Sequence, residues 1–258
     1  MYTFFICLLA GAGAGIGTGF AGLSAATVIS PMLITFLGIP AYEAVAVSLA
    51  SDVLASAVSA YTYHKSKNLD VKNGLVMMIA VLLFTMIGSG VARLVPNTTL
   101  GSISVLMTFF LGLRFLIIPV RSHREMMEYM NAKTKLIFSI IGGAVVGSIC
   151  GFMGVGGGMM MLMVLTMFLG YDLKTAVGTS VFIMTFSAFT GALSHIYIAG
   201  LPDLKTLILC VIFTLLFARL AARIANKVSD RAMNIITGLV LVGTCGAVML
   251  VNYITTMS

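Results

Sequence analysis

Moved along itself by 132 positions, the sequence pairs "GAGAGIGTGFAGLSAATVISPMLITFLGIPAYEAVAVS" from residue 11 with "GAVVGSICGFMGVGGGMMMLMVLTMFLGYDLKTAVGTS" from residue 143, without a gap. Thirteen of these 38 positions are identical, including Gly11/Gly143, Gly15/Gly147, Gly19/Gly151, Phe20/Phe152, Gly22/Gly154, Gly38/Gly170, Ala44/Ala176 and Ser48/Ser180. With one deletion His64 also pairs with His195. Gly, Ser and His do not interchange with aliphatic residues, so the match is more than two greasy segments lying side by side. The chain reads as two copies of one unit. Residues 1–120 form the first membrane repeat and 134–258 the second, joined by a cytoplasmic connector at 121–133 into one membrane domain.

Apolar runs of about 20 residues recur along the whole length, which predicts an all-α integral membrane protein. Only 9% of the residues are charged, against roughly 25% in soluble domains, and no polar stretch is long enough to make a separate soluble core. The net charge of +7 comes from Lys and Arg in short connectors and not from a patch interleaved with aromatics. It therefore reports orientation in the membrane and excludes a nucleic-acid partner. The N-terminal apolar run lacks a basic leader and reads as a retained first helix. Cys7, Cys150, Cys210 and Cys245 sit in apolar segments without metal-ligand spacing, and the nineteen methionines have no accompanying His or Cys pairs, so no metal or disulfide framework is expected.

Each copy opens with an apolar run too long for one crossing, residues 4–38 and 134–170, with a glycine-rich break near its middle. Several adjacent glycines cost a helix about 1 kcal/mol each relative to Ala, so each run is expected to fold back as a hairpin. Charge placement tests this. If each run crosses once, eight basic residues fall on one face and six on the other, which decides nothing. If each is a hairpin, only Arg93 and Lys205 remain on one face and twelve gather on the other. By the positive-inside tendency the basic face is cytoplasmic and both termini lie outside. The two copies then have inverted topology, each a Gly-broken helical hairpin plus three transmembrane helices, spanning the plasma (inner) membrane many times.

The elbows of such hairpins end deep in the bilayer, where irregular backbone survives only if protein buries it or it lines a cavity. Gly156, Gly157 and Gly158, with their counterparts Ser24, Ala25 and Ala26, precede the returning helix, whose first N–H groups are free to receive a small anion. The ladders Gly11/Gly15/Gly19 and Gly143/Gly147/Gly151 instead have the small-xxx-small spacing of close helix packing. "GTGFAG" at 17–22 follows no strand, so its match to a dinucleotide motif is rejected. The next span supplies Ser48 and Asp52 near mid-bilayer, and the second copy supplies Thr179 and Ser180, with Met184 where Asp52 would fall. An ionisable group at that depth marks function, so Asp52 is the candidate for proton coupling. His64, His195 and Arg114 are secondary candidates for substrate or proton contact, with interfacial bonding or snorkelling the plainer reading of each.

The quoted elements, "GFMGVGGGMMML" and "TAVGTS" in the second copy and the degenerate "GFAGLSAAT" and "EAVAVS" in the first, resemble the signature of the TauE/SafE sulfite exporter (TSUP) family. The resemblance covers nearly the whole chain. It implies a secondary carrier for sulfite, sulfonates or related small organic anions, commonly exporters. The expected partners are thus the small anion, the lipid bilayer, a proton as coupling ion and, as a further candidate, a second copy in a homodimer. An anion channel is the alternative. An embedded enzyme is weaker, since HExxH, a spaced Ser/His pair and cofactor motifs are all lacking.

Overall fold

The computed structural model describes residues 1–92, 109–110, 112–114, 116–118, 131–153 and 157–257, and every regular element among them is a helix. In chain order they are α1 (Tyr2–Ala21), α2 (Ala26–Leu37), α3 (Ala41–Lys65), α4 (Val71–Ala92), α5 (Ala132–Met153), α6 (Gly157–Met163), α7 (Leu173–Ala199), α8 (Leu204–Lys227) and α9 (Asp230–Met257). A π-helical turn at Val164–Phe168 continues α6. Four segments, Tyr2–Ala21, Glu43–Lys65, Leu173–Leu193 and Leu204–Lys227, are long and apolar enough to cross a membrane. The span expected at about 99–120 and the connector at 121–133 lie for the most part outside the described residues.

Element boundaries follow the 132-residue shift. α1 ends at Ala21 and α5 at Met153, while α3 starts at Ala41 and α7 at Leu173. Gly38 and Gly170, also 132 apart, both take positive φ, 63° and 67°. The first long run does fold back. A Cβ on Gly13 would lie 3.3 Å from Val28 and one on Gly17 would lie 3.2 Å from Leu23, so residues on α1 meet successively earlier residues of the returning chain.

The glycine ladders set the closest helix approaches. Gly11 lies against Phe213 and Thr214, Gly15 against Thr214, Phe217 and Ala218, and Gly19 against Ala218, Ala221 and Ala222. Numbers rise together on both helices, so α1 and α8 run parallel. Gly143 lies against Met77 and Ala80, and Gly147 against Val81 and Phe84, so α4 and α5 also run parallel. By contrast Gly178 meets Tyr63 while Gly191 meets Leu49, which makes α3 and α7 antiparallel. Each glycine ladder therefore joins a helix from the first half of the chain to one from the second.

α8 shows why such pairs form in lipid. Thr206, Cys210, Thr214, Ala218, Ala221, Ala222 and Ala225 are its buried face, small enough for α1 to come close. Leu204, Ile208, Ile212, Leu216, Leu220 and Ile224 recur every fourth residue on the other face and are exposed. In water that stripe would be a liability; in hydrocarbon it costs nothing, and van der Waals packing of the small face drives association. Polar ties hold the ends. Asp172 and Asp203 cap α7 and α8 by accepting the amides of Thr175 and Thr206 at 3.2 and 3.0 Å. The Thr206 hydroxyl donates to Asp203 as well, at 2.7 Å, and these bonds hold the exposed Asp203 carboxyl below its usual pKa. Asn68 donates to Asn226 at 2.7 Å, and Tyr171 donates to Asp70 at 2.9 Å, linking the α3–α4 connector to the second half.

Gly15→Leu and Gly147→Leu should each destabilise the protein by about 1–3 kcal/mol or more, because backbone and not a flexible side-chain end lies in the way. Thermal unfolding in detergent measures this. Gly243→Leu, where no described atom lies within 4 Å of an added Cβ, should leave the midpoint close to that of the parent.

Candidate functional site

The first elbow is built by the residue that ends α1. Gly22 adopts φ 61°, ψ 31°, a left-handed conformation that a side chain disfavours. Its amide donates to Thr18 O at 3.0 Å, and the Leu23 amide donates to Gly17 O at 3.2 Å. The Thr18 hydroxyl lies 2.8 Å from Leu23 O and 2.9 Å from Ala14 O, which satisfies the next carbonyl of the turn. The elbow is thereby rigid, and its polar backbone has partners inside the protein.

Ser24 follows, and its hydroxyl donates to Asp52 Oδ2 at 2.7 Å. The other carboxylate oxygen, Oδ1, accepts from Ser56 at 2.9 Å. Asp52 is 1% exposed, and the Ala25 amide at the start of α2 is turned toward it. A carboxylate of the chain thus sits on the elbow hydroxyl and at the positive end of α2, the place a small anion would take.

The start of α6, which follows the second glycine cluster, arrives at the same point. Gly158 is buried, and a Cβ there would run into the Gly22 carbonyl oxygen and come within 2.6 Å of Met184 Sδ. A side chain on Gly22 would in turn press on Ser180 Oγ at 3.2 Å. The first elbow and the start of α6 therefore touch at Gly22 and Gly158, between α3 and α7, and only glycine permits the approach. On the α7 side Ser180 donates weakly to Gly158 O at 3.3 Å, with its oxygen 3.7 Å from Met184 Sδ. Met184, the counterpart of Asp52, is 4% exposed and carries no charge.

Not every expected residue comes to this junction. Ser24, Ala25, Asp52, Gly158 and Ser180 do, and Gly157 opens α6 beside them; Gly156 lies outside the described residues. Ser48 lies one turn before Asp52 on α3, but its hydroxyl is engaged with Ala44 O and Ser30 Oγ, both at 2.5 Å, and serves α2–α3 packing. Thr179 points away to the α3–α4 connector, where it accepts the Asp70 amide at 3.3 Å. His64 is exposed and lines a lateral apolar groove of about 420 Å³ with Ala57, Ala60, Phe182 and Phe186. His195 is in α7, but its side chain is outside what the structure describes. Arg114 belongs to a helical stretch that meets Gly238 of α9 through Gly112 and Leu116. Its Nη1 is buried without a partner among the described residues.

Sequence reading passed over Ser56 and Ser59. Both are 0% exposed, and both stand on the face of α3 that carries Asp52, at i+4 and i+7. That spacing in "SDVLASAVSAY" was the available signal. Among the described residues no group of three His, Cys, Asp or Glu could hold a metal ion.

The family described as "Sulfite exporter TauE/SafE" matches residues 7–248. A curated relative, "Probable membrane transporter protein YunE" of Bacillus subtilis (strain 168), is 27% identical over 213 residues, covering 75% of this chain and 78% of its own length. No solved structure matches the chain. With almost the entire length matched, the chain belongs to the TauE/SafE sulfite exporter family of membrane transporters.

Proposed function

We propose that the protein is a secondary carrier that exports sulfite, an organosulfonate or a related small anion, and that it binds the anion where the two elbows meet and links its passage to a proton on Asp52. The observation that carries this reading is the bond from Ser24 to Asp52 beside the Gly22–Gly158 contact. The chain's own carboxylate holds the donor that an incoming anion needs. Two unit negative charges about 4 Å apart repel by on the order of 4 kcal/mol at an effective dielectric of about 20, which is roughly a thousandfold in affinity. Protonating Asp52 removes that repulsion and releases Ser24. Proton and anion then favour one another, and by reciprocity each raises the affinity for the other.

Oppositely threaded halves fit the helix directions. Parallel α1/α8 and α4/α5 pairs with an antiparallel α3/α7 pair are what two copies related by an axis in the membrane plane would produce. The same scheme puts α3 and α7 astride the axis, with Asp52 on one and Met184 on the other. Duplication followed by divergence accounts for this unequal pair: one half keeps an ionisable group, and the other offers only backbone and the Ser180 hydroxyl. Access alternates as the packing around the elbows opens to one face and then the other, and the basic connectors lie on the cytoplasmic side.

Three measurements test this. Sulfite, thiosulfate or a small sulfonate should raise the unfolding temperature of the purified protein, by about 2.7 kcal/mol of added stability at a hundredfold excess over Kd; no response to any of them removes the substrate assignment. Asp52→Asn, a neutral mimic of the protonated acid, should retain anion binding and lose the pH dependence of sulfite flux in proteoliposomes. Unchanged pH dependence takes Asp52 out of the coupling. Cysteine labelling at Met1 and Asn131 should report opposite faces of the membrane, and labelling from one face rules out inverted halves.

A further inference from the structure

α3 carries an unusual run of buried polar side chains toward its C-terminal end. Asp52, Ser56, Ser59 and Tyr63 occupy positions i, i+4, i+7 and i+11, one stripe of a helix, and none is more than 1% exposed. Several buried helical hydroxyls elsewhere in the protein close on their own backbone four residues back: Ser51 on Val47 O, Thr166 on Leu162 O, Thr214 on Cys210 O. That is the ordinary fate of Ser and Thr inside membrane helices. The stripe departs from it twice. Ser56 gives its proton to the Asp52 carboxylate instead of to a carbonyl. Ser59 Oγ is fully buried with no partner at all, the one hydroxyl in that state among the described residues.

We propose that Ser56 and Ser59 form a hydroxyl relay that carries the proton between Asp52 and the C-terminal end of α3, a role that rests on the reading of Asp52 as a proton-exchanging group. Side chains at i and i+3 on a helix stand about 5–6 Å apart at Cβ, a gap that one water closes with two hydrogen bonds of about 2.8 Å. Ser59 supplies the free donor and acceptor such a water requires. Tyr63 marks the far end of the stripe: its hydroxyl, which donates to Gly19 O at 2.8 Å, keeps lone pairs to accept.

The step moves one proton and changes only O–H bonds. Ser56 passes its hydroxyl proton to Asp52 Oδ1 and takes another from the bridging water. Ser59 replenishes that water and is itself replenished by water at the α3 end. The reverse sequence discharges Asp52.

Among the described residues, the charged side chains of the neighbouring helices are engaged or exposed elsewhere. α1 and α2 contain no charged residue. On α8, Lys205, Arg219, Arg223 and Lys227 are all exposed. On α7, Lys174 donates to Val228 O at 2.6 Å, at the end of the bundle. Toward the N-terminus of α3, Ser48 and Ser51 commit their protons to the carbonyls of Ala44 and Val47, and Glu43 accepts the Asp203 amide at 2.9 Å. His64 is exposed beyond Tyr63, where a proton would enter.

A pH jump on the full-length protein, followed by time-resolved infrared spectroscopy of the carboxyl C=O stretch, reads proton arrival without a transported substrate. The band is assigned to Asp52 by its loss in Asp52→Asn. Ser56→Ala and Ser59→Ala should each slow its appearance by roughly tenfold or more, and Ser59→Thr, which restores the hydroxyl, should recover most of the rate. The unfolding midpoint of each variant confirms that it folds, and Ser59→Cys replaces any Ala variant that does not. Parental rates in the serine variants overturn the relay alone. Absence of a pH-dependent band lost with Asp52→Asn overturns the proton role of Asp52 and the relay with it.

Discussion

A helix that stops inside a bilayer exposes amides and carbonyls to a medium that cannot bond them, each unpaired group costing several kcal/mol. The elbow at residues 22–25 is possible only because those groups find partners within the protein. The left-handed Gly22 lets the α1 carbonyls of Gly17 and Thr18 accept from the turn, and Thr18 covers Leu23 O. Ser24 bonds to Asp52. The break is thus tied to α3 by a charged group, and the same bond that permits the irregular backbone holds the ionisable residue at depth. Structure and proposed chemistry share one contact.

That contact also explains how a lone carboxylate persists where burial is expensive. Two hydroxyl donors and the start of α2 supply what water would otherwise give. The arrangement has two settings. Ionised, Asp52 is held by Ser24 and Ser56 and, in the proposed carrier, would close the elbow to anions. Protonated, it still bonds as a neutral acid but no longer competes. Met184 at the matched position across the junction cannot make such a change. On the proposed mechanism one half would sense protons while the other contributes a neutral surface, so that a single ionisable group would be enough to couple the site.

Much of this was legible in the residues. The break in the first long run, the close helix approaches at Gly11, Gly15, Gly19, Gly143 and Gly147, and the burial of Asp52 all follow from local properties: absence of a Cβ, three- or four-residue spacing, and the meaning of an ionisable group in an apolar helix. What spacing alone did not settle was which way neighbouring hydroxyls turn. Thr179 and Ser180 are adjacent, so about 100° of helix rotation separates them, and one faces the Asp70 amide while the other faces Gly158. Ser48 shares a stripe with Asp52 yet spends its proton on packing. Those outcomes depend on which helix arrives opposite, and the facing helices come from the other half of the chain. Ser56 and Ser59 were visible as a stripe, but small residues in a membrane helix read first as packing, and only the missing partner of Ser59 separates the two roles.

The helix pairing constrains the motion as well. Transporters built from repeats are often pictured as two sequence halves rocking against each other, but here each glycine ladder locks a helix of one half to a helix of the other, α1 to α8 and α4 to α5. Backbone-to-backbone contacts this close have no flexible side chains to absorb sliding, so rocking between sequence halves would break both ladders together. The movable seams of the proposed carrier would then lie elsewhere. The α3/α7 contact is mixed in kind: Gly178 lies hard against Tyr63 and the Asn68 carbonyl, while toward the other end Leu49 meets Gly191 through its side chain and an apolar groove opens beside Phe182 and Phe186. The elbows belong to neither ladder and bond to α3 and α7 through single hydroxyls, Ser24 to Asp52 and Ser180 to Gly158. In the proposed carrier, a change in the charge of Asp52 would act at the bond between the elbow and α3, outside both ladders, and the rigid units it would move are mixed helix pairs rather than the two copies read from the sequence.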